Sequence, residues 1–245
     1  MSYIGKTPTP VPLTSSDITN GIVTGEKLNA DIISSQTVLG ATPADTDEFI
    51  ISDAGVLKRM DYSYIKGGGA YEKLLTTTAD NSATSVAFSS TYITSTYREY
   101  KIVMSDIDLA DSGQHFYIYL STDNGSSYLG SSQYDFTIGT GYVSTGTGVV
   151  GNGNPSSSIR ISGHTFGGDD ARNMNGYAIL CNPSSTSSKC MVYGNINYWD
   201  NSTNLVTQNF AGGLDASDSA VNNIKFETQS GNITSGTFTI YGRKN

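Results

Sequence analysis

Apolar and polar residues alternate along much of the chain beyond residue 70, the pattern of strands buried on one face. In Tyr100-Lys101-Ile102-Val103-Met104, Tyr100, Ile102 and Met104 share a face. Between His115 and Leu120, Phe116, Ile118 and Leu120 do the same, and from Gly236 to Tyr241, Phe238 and Ile240 oppose Thr237, Thr239 and Tyr241. Strands are expected at 72–77, 85–89, 97–105, 115–122, 133–138, 158–163, 174–181, 189–199, 204–212, 221–228 and 233–242. Asp123-Asn124-Gly125 after Leu120 carries hairpin chemistry, because Asn and Gly tolerate positive φ. The glycine-rich stretch Gly139 to Asn154 is read as a loop or a wide hairpin. No helical periodicity of useful length follows residue 70. The fold expected is all-β: a C-terminal antiparallel β-sandwich over 70–245, jelly-roll-like, after a short extended N-terminal stem.

The first 69 residues follow a different pattern. Pro8, Pro10 and Pro12 fix an extended backbone and remove amide donors, so 1–13 reads as an arm lying on another protein. In 14–35, Ile18, Ile22, Leu28 and Ile32 are spaced too irregularly for a long helix, and at most a helical turn forms from Gly25 to about Asn29. Such isolated apolar residues cannot bury themselves within one chain, whereas three copies around an axis could bury them together; disorder is the competing reading. Glu48 to Ser52 and Val56 to Met60 form a hairpin around Asp53-Ala54-Gly55, with a helical turn over Asp61 to Ile65. Gly67-Gly68-Gly69 then marks the end of a stem and connector spanning 14–69.

Composition narrows the chemistry. Only 37% of the 245 residues are apolar and 15% charged, while 27 are glycine and 16 tyrosine, which suits a loop-rich β protein and excludes a coiled coil. A net charge of −8 argues against a nucleic-acid partner. No apolar run approaches the roughly 20 residues of a membrane span, and the N-terminus has no secretory h-region, so neither membrane insertion nor secretion by that route is expected. Cys181 and Cys190 flank a polar turn; they read as reduced, half-buried thiols, with a cross-strand disulfide as the alternative. No metal or cofactor is expected, since two cysteines and the distant His115 and His164 offer no ligand spacing.

Several strings resemble parts of the tail fibres of tailed, marine bacteriophages. Met1-Ser2-Tyr3-Ile4-Gly5-Lys6-Thr7-Pro8 resembles their tail-attached opening. Ser16 to Leu28 is similar to the stem motif in which I-x-x-G-x-V-x-x-x-K-L recurs, and Asp45 to Arg59 resembles a connector that precedes receptor-facing domains. Within the sandwich, Tyr97 to Val103 with Leu120 to Tyr128, and Ser230 to Gly242, resemble the same group. The resemblance covers both ends and about a third of the chain, and one copy of the stem motif implies a short shaft.

It implies a structural virion protein: a homotrimeric tail fibre, assembled in the host cytoplasm, that attaches to the host surface. Tyr3, Ile4, Pro8, Pro10 and Pro12 would contact other tail proteins, and Ile18, Ile22, Leu28 and Ile32 would pack the trimeric stem. The partner would be a host glycan or outer-membrane component. The alternative is an architectural virion component such as a collar, whisker or decoration protein; a secreted bacterial carbohydrate-binding module is disfavoured by the missing secretory signal.

No catalytic residues are expected. His115 and His164 have no nucleophile motif nearby, and the acidic residues at Asp106, Asp108 and Asp111 read as solvated turns. Receptor binding is the sharper expectation. Asn197-Tyr198-Trp199-Asp200-Asn201 combines aromatic, amide and carboxylate groups, so Tyr198, Trp199 and Asp200 are candidates, with Asp169 and Asp170 as a second tip. Against this stands the reading of Trp199 as a core or interface residue at a strand end.

Overall fold

A computed structural model describes residues 14–19, 35–65, 70–130, 132–142, 149–168, 172–214 and 219–243. The expectations at Tyr3, Ile4, Pro8, Pro10, Pro12, Ile22, Leu28, Ile32, Asp169, Asp170 and the Gly67–Gly69 run lie outside these residues. The chain divides into two compact units, Met1–Gly67 and Gly68–Asn245.

In the first unit, a turn of 3-10 helix spans Ser15–Asp17, and β1 (Glu48–Asp53) and β2 (Val56–Asp61) form an antiparallel hairpin. Asp53 pairs with Val56, leaving Ala54 (φ 50°) and Gly55 (φ 85°) as a two-residue loop with both central residues at positive φ, the twist that suits a hairpin. A single helical turn, α1 (Tyr62–Ile65), follows and is tied back by Tyr62 N–H donating to the Asp47 carbonyl at 2.7 Å. None of the described residues of this unit is buried. Val38, Ile50, Leu57 and Tyr64 are 86, 81, 75 and 80% exposed. A lone two-stranded hairpin is marginal in water, and the described residues of this unit supply no buried core to support it.

The described residues of the second unit form twelve strands: β3 (Tyr71–Thr78), β4 (Ser85–Phe88), β5 (Glu99–Leu109), β6 (Phe116–Ser121), β7 (Tyr134–Tyr142), β8 (Val149–Ser156), β9 (Ile159–Arg160), β10 (Met174–Cys181), β11 (Met191–Trp199), β12 (Leu205–Leu214), β13 (Asn223–Thr228) and β14 (Ile233–Arg243). They form an eight-stranded sheet ordered β3-β14-β5-β10-β11-β12-β7-β8 and a four-stranded sheet ordered β4-β13-β6-β9, antiparallel throughout. If the hairpins β7–β8 and β11–β12 are set aside, the remaining strands run first-eighth-third-sixth in one sheet and second-seventh-fourth-fifth in the other. That is a jelly roll. The two hairpins are insertions that widen one sheet by four strands. The first and last strands lie side by side, with Tyr71 paired to Arg243.

The pleat explains the core. β11 turns Val192, Ile196 and Tyr198 inward, β13 turns Ile224 and Phe226 inward, and β14 contributes Phe238 and Ile240. Phe116 and Phe226 of the small sheet meet Phe238 of the large one, with ring centroids 6.5 and 5.7 Å apart, and Phe166 packs on Tyr198 at 4.1 Å. Burial of each such ring contributes about 1.5–3 kcal/mol.

Two expectations need correction and a third is narrowed. Asn124 (φ 62°) and Gly125 (φ 86°) form the expected tight turn, but it does not join paired strands: β6 lies in the small sheet and β7 in the large one. Of the two readings of the Gly139–Asn154 stretch, the hairpin is the one formed, since the end of β7 pairs with most of β8. Asp106 and Asp108 lie inside β5, not in turns. Asp106 sits at φ 53° with its N–H donated to Asn175 Oδ1, and Asp108 is buried and accepts the Thr234 hydroxyl at 3.0 Å.

Candidate binding surface

Strand parity dictates what the outer face of the large sheet presents. β11 and β12 alternate between core and solvent, as does β10 as far as Ala178, and the outward set comprises Asn175 and Tyr177, then Met191, Tyr193, Asn195, Asn197 and Trp199, then Leu205, Thr207, Asn209 and Ala211. The large apolar side chains exposed among the described residues of the second unit, Tyr177, Met191, Tyr193, Trp199 and Leu205, all lie here. Trp199 sits opposite Leu205 at the strand ends, so the two side chains flank each other across the ladder.

Asparagines fill the middle. Asn195 is opposite Asn209 and donates to its Oδ1 at 3.1 Å, and Asn197 donates to Asn195 Oδ1 at 2.7 Å. Lys101 places its ammonium 5.3 Å from the Tyr177 ring, a contact in which the ring face attracts the cation. At one end, Ala211 and Gly213 leave β12 without bulk, and a shallow depression of about 560 Å³ opens there, bordered by Asp135, Asn152, Asn154, Lys189 and Met191. The face thus offers aromatic and thioether surface, with amides largely satisfied by one another. That is contact chemistry.

Within the expected receptor cluster, parity separates the residues. Trp199 points outward and is 42% exposed. Tyr198 points inward and is fully buried, its hydroxyl engaged with the His164 backbone. Asp200 is buried as well; its carboxylate accepts the N–H groups of Ser202 and Asn204 at 2.9 and 2.8 Å and closes the turn between β11 and β12. Tyr198 and Asp200 therefore build the fold and offer nothing to a receptor, because adjacent strand residues face opposite sides. Sequence reasoning missed Tyr177, Tyr193, Asn195 and Asn209, although the alternation of 191–199 carried the signal for Tyr193 and Asn195.

The cysteines are free. Cys181 is opposite Met191 and half-buried, while Cys190 faces the core at 3% exposure. They lie on opposite sides of the sheet, which a cross-strand disulfide cannot bridge. Burial pushes the Cys190 thiol up to about 12, with the Cys181 charge adding to it, and raises Cys181 as well. Among the described residues no group of three or more His, Cys, Asp or Glu side chains could hold a metal ion. Comparison with known protein families, curated proteins and solved structures finds no match to the chain.

Proposed function

We propose that the chain is a structural attachment protein of a bacteriophage tail, in which the N-terminal unit assembles copies, as a homotrimer, and the jelly roll contacts the host surface. The observation that carries this reading is the contrast between the units. The second has a dense core of its own, whereas the described residues of the first bury nothing and expose Ile50, Leu57 and Tyr64 almost fully. Apolar side chains held so openly on a marginal hairpin are stabilised when neighbouring copies cover them. The contact chemistry on the large sheet supports the second half of the reading. The same face also suits packing against another virion protein, which is the architectural alternative.

Light scattering on the full chain tests assembly, with three times the 26.0 kDa chain mass expected; a monomer that keeps the hairpin folded would sink it. Fluorescently labelled full chain, applied to cells of the strain that supports the phage, separates attachment from architecture. Cells left unlabelled would favour the architectural role.

A further inference from the structure

The outer face of the four-stranded sheet gathers a second set of side chains. β6 turns Tyr117 and Tyr119 outward, and β13 turns Lys225 and Glu227 outward. The register sets Tyr117 opposite Glu227 and Tyr119 opposite Lys225. The rings of His115, Tyr117, Tyr119 and Tyr128 follow one another at centroid spacings of 6.4 Å. The Lys225 ammonium lies 4.6 and 4.3 Å from the Tyr119 and Tyr128 rings and 2.9 Å from Glu227 Oε2. Beside this row opens a depression of about 490 Å³ whose lining includes Thr84, Tyr117, Tyr119, Ser158, Glu227 and Gln229.

Two aspects set it apart from the large-sheet face. Its lining is mainly hydroxyl, amide and carboxylate on an aromatic wall. Part of its polar lining is spent internally, with Tyr119 bonded to Ser158 and Thr228 to the Ser230 carbonyl. Among the described residues, however, the Tyr117 hydroxyl and the Gln229 carboxamide have no hydrogen-bond partner, and only one oxygen of Glu227 is used, by Lys225. We infer that this depression is a saccharide subsite for a neutral pyranose of a surface glycan. The reading rests on the attachment role proposed above and gives it a place and a ligand class.

Glu227 accepts from neighbouring sugar hydroxyls, Gln229 and the Tyr117 hydroxyl supply donors and acceptors, and the tyrosine rings cover the C–H face. The volume falls in the range of small-ligand sites. Charge selects against acidic sugars and phosphates. Lys225 is already paired with Glu227 and covered by two rings, Arg160 is turned to the Phe136 ring at 5.9 Å, and the chain carries a net −8.

Saturation-transfer NMR on the full chain with the methyl pyranosides of glucose, galactose and mannose, and with methyl glucuronide, tests the site. Binding of at least one neutral pyranoside in the millimolar range is expected, with the glucuronide weaker. Gln229→Ala, an exposed position, and Tyr117→Ala each weaken it by about tenfold, the effect of a lost hydrogen bond or stacking contact. Lys73→Ala, an exposed position on β3 of the other sheet, leaves it unchanged. The inference is overturned by no binding of any neutral pyranoside, by equal or tighter glucuronide binding, or by binding that survives both Gln229→Ala and Tyr117→Ala. Cell labelling keeps the two readings apart. Labelling that is the same for wild type and Gln229→Ala removes the subsite and leaves attachment standing, whereas pyranoside binding without cell labelling removes attachment alone.

Discussion

The hydroxyl of Tyr198 accepts the backbone N–H of His164 at 3.0 Å and donates to the carbonyl of the same residue at 2.9 Å. The arrangement recurs: Tyr134 engages both groups of Leu120 at 2.8 and 3.2 Å, and Tyr100 both groups of Thr94 at 2.7 and 2.8 Å. A phenol held this way replaces a missing strand partner, meeting the backbone's donor and acceptor inside the core.

Removing one such hydroxyl should therefore cost more than an ordinary hydrogen bond. Tyr134→Phe and Tyr198→Phe keep the ring packing but remove these bonds, at about 1–3 kcal/mol for each variant. In Tyr134→Phe the buried Leu120 N–H loses its acceptor, while the Leu120 carbonyl keeps the Leu129 N–H at 2.9 Å. Thermal unfolding should show a melting temperature lower by several degrees. An unchanged value in both variants would refute the account.

Close approach of backbones makes a sharper contrast. A Cβ on Gly194 would meet the Tyr177 carbonyl at 2.0 Å and Phe210 Cζ at 2.8 Å, whereas one on Gly139 meets nothing within 4 Å. Gly194→Ala should destabilise by about 1–3 kcal/mol or more through overpacking, and Gly139→Ala should stay within about 0.5 kcal/mol of wild type. Urea titrations of the two proteins side by side give the comparison.

Two groups set separate pH windows. Burial, reinforced by the nearby Arg160 charge, lowers His115 from its ordinary 6.5. Its neutral form is thus favoured in the fold, so the stability it contributes is complete above pH 6.5 and declines as pH falls below that toward its folded value. Hydrogen bonds from Ser127 and Ser121 bring Asp123 down from 3.8 to about 2, so its contribution holds above 3.8 and disappears as pH falls toward 2. Urea midpoints should fall between pH 8 and pH 5, and His115→Gln should flatten that decline. Asp123→Asn should lower the midpoint throughout the range above pH 3.8 and remove the further decline between 3.8 and about 2.

Thiol chemistry checks the placement of the cysteines. In native protein Cys181 should react slowly with iodoacetamide and Cys190 not at all, with both labelled after unfolding. Oxidation should produce no intramolecular disulfide. Formation of a Cys181–Cys190 bond without loss of structure would contradict the register of β10 and β11.

Assembly has its own signature. Leu57→Asp or Ile50→Asp should dissociate the oligomer in light scattering while leaving the melting of the jelly roll unchanged, because that unit carries its own core. A coupled loss of both would argue against independent units.

Much of the fold was legible in the sequence, and the losses have physical reasons. Eleven strands of the second unit were located, three of them by period-two alternation, because each of these hides one face, and the others by β-forming runs set between turn signals. β8 escaped because Gly151, Gly153 and Pro155 supply neither alternation nor β propensity; the strand sits at a sheet edge, where a proline without an N–H is tolerated. The Asn124-Gly125 turn was readable from backbone preference, but its use was not, since which sheet the chain joins next depends on distant partners. The receptor cluster was read from composition over adjacent residues, and the pleat split it: Tyr198 and Asp200 went inside while Trp199 stayed out. The tyrosine row on β6 was equally visible as alternation, but its meeting with Glu227 and Gln229 required the long-range pairing of β6 with β13.

The pairing of Tyr71 with Arg243 brings the two ends of the jelly roll together at one sheet edge. A module whose ends meet can be re-cut: joined there by a short linker and reopened at the exposed Thr186-Ser187 turn between β10 and β11, it keeps every strand pairing. The same geometry lets it be spliced into a surface loop of an unrelated carrier without spreading that loop apart, making it a portable cassette.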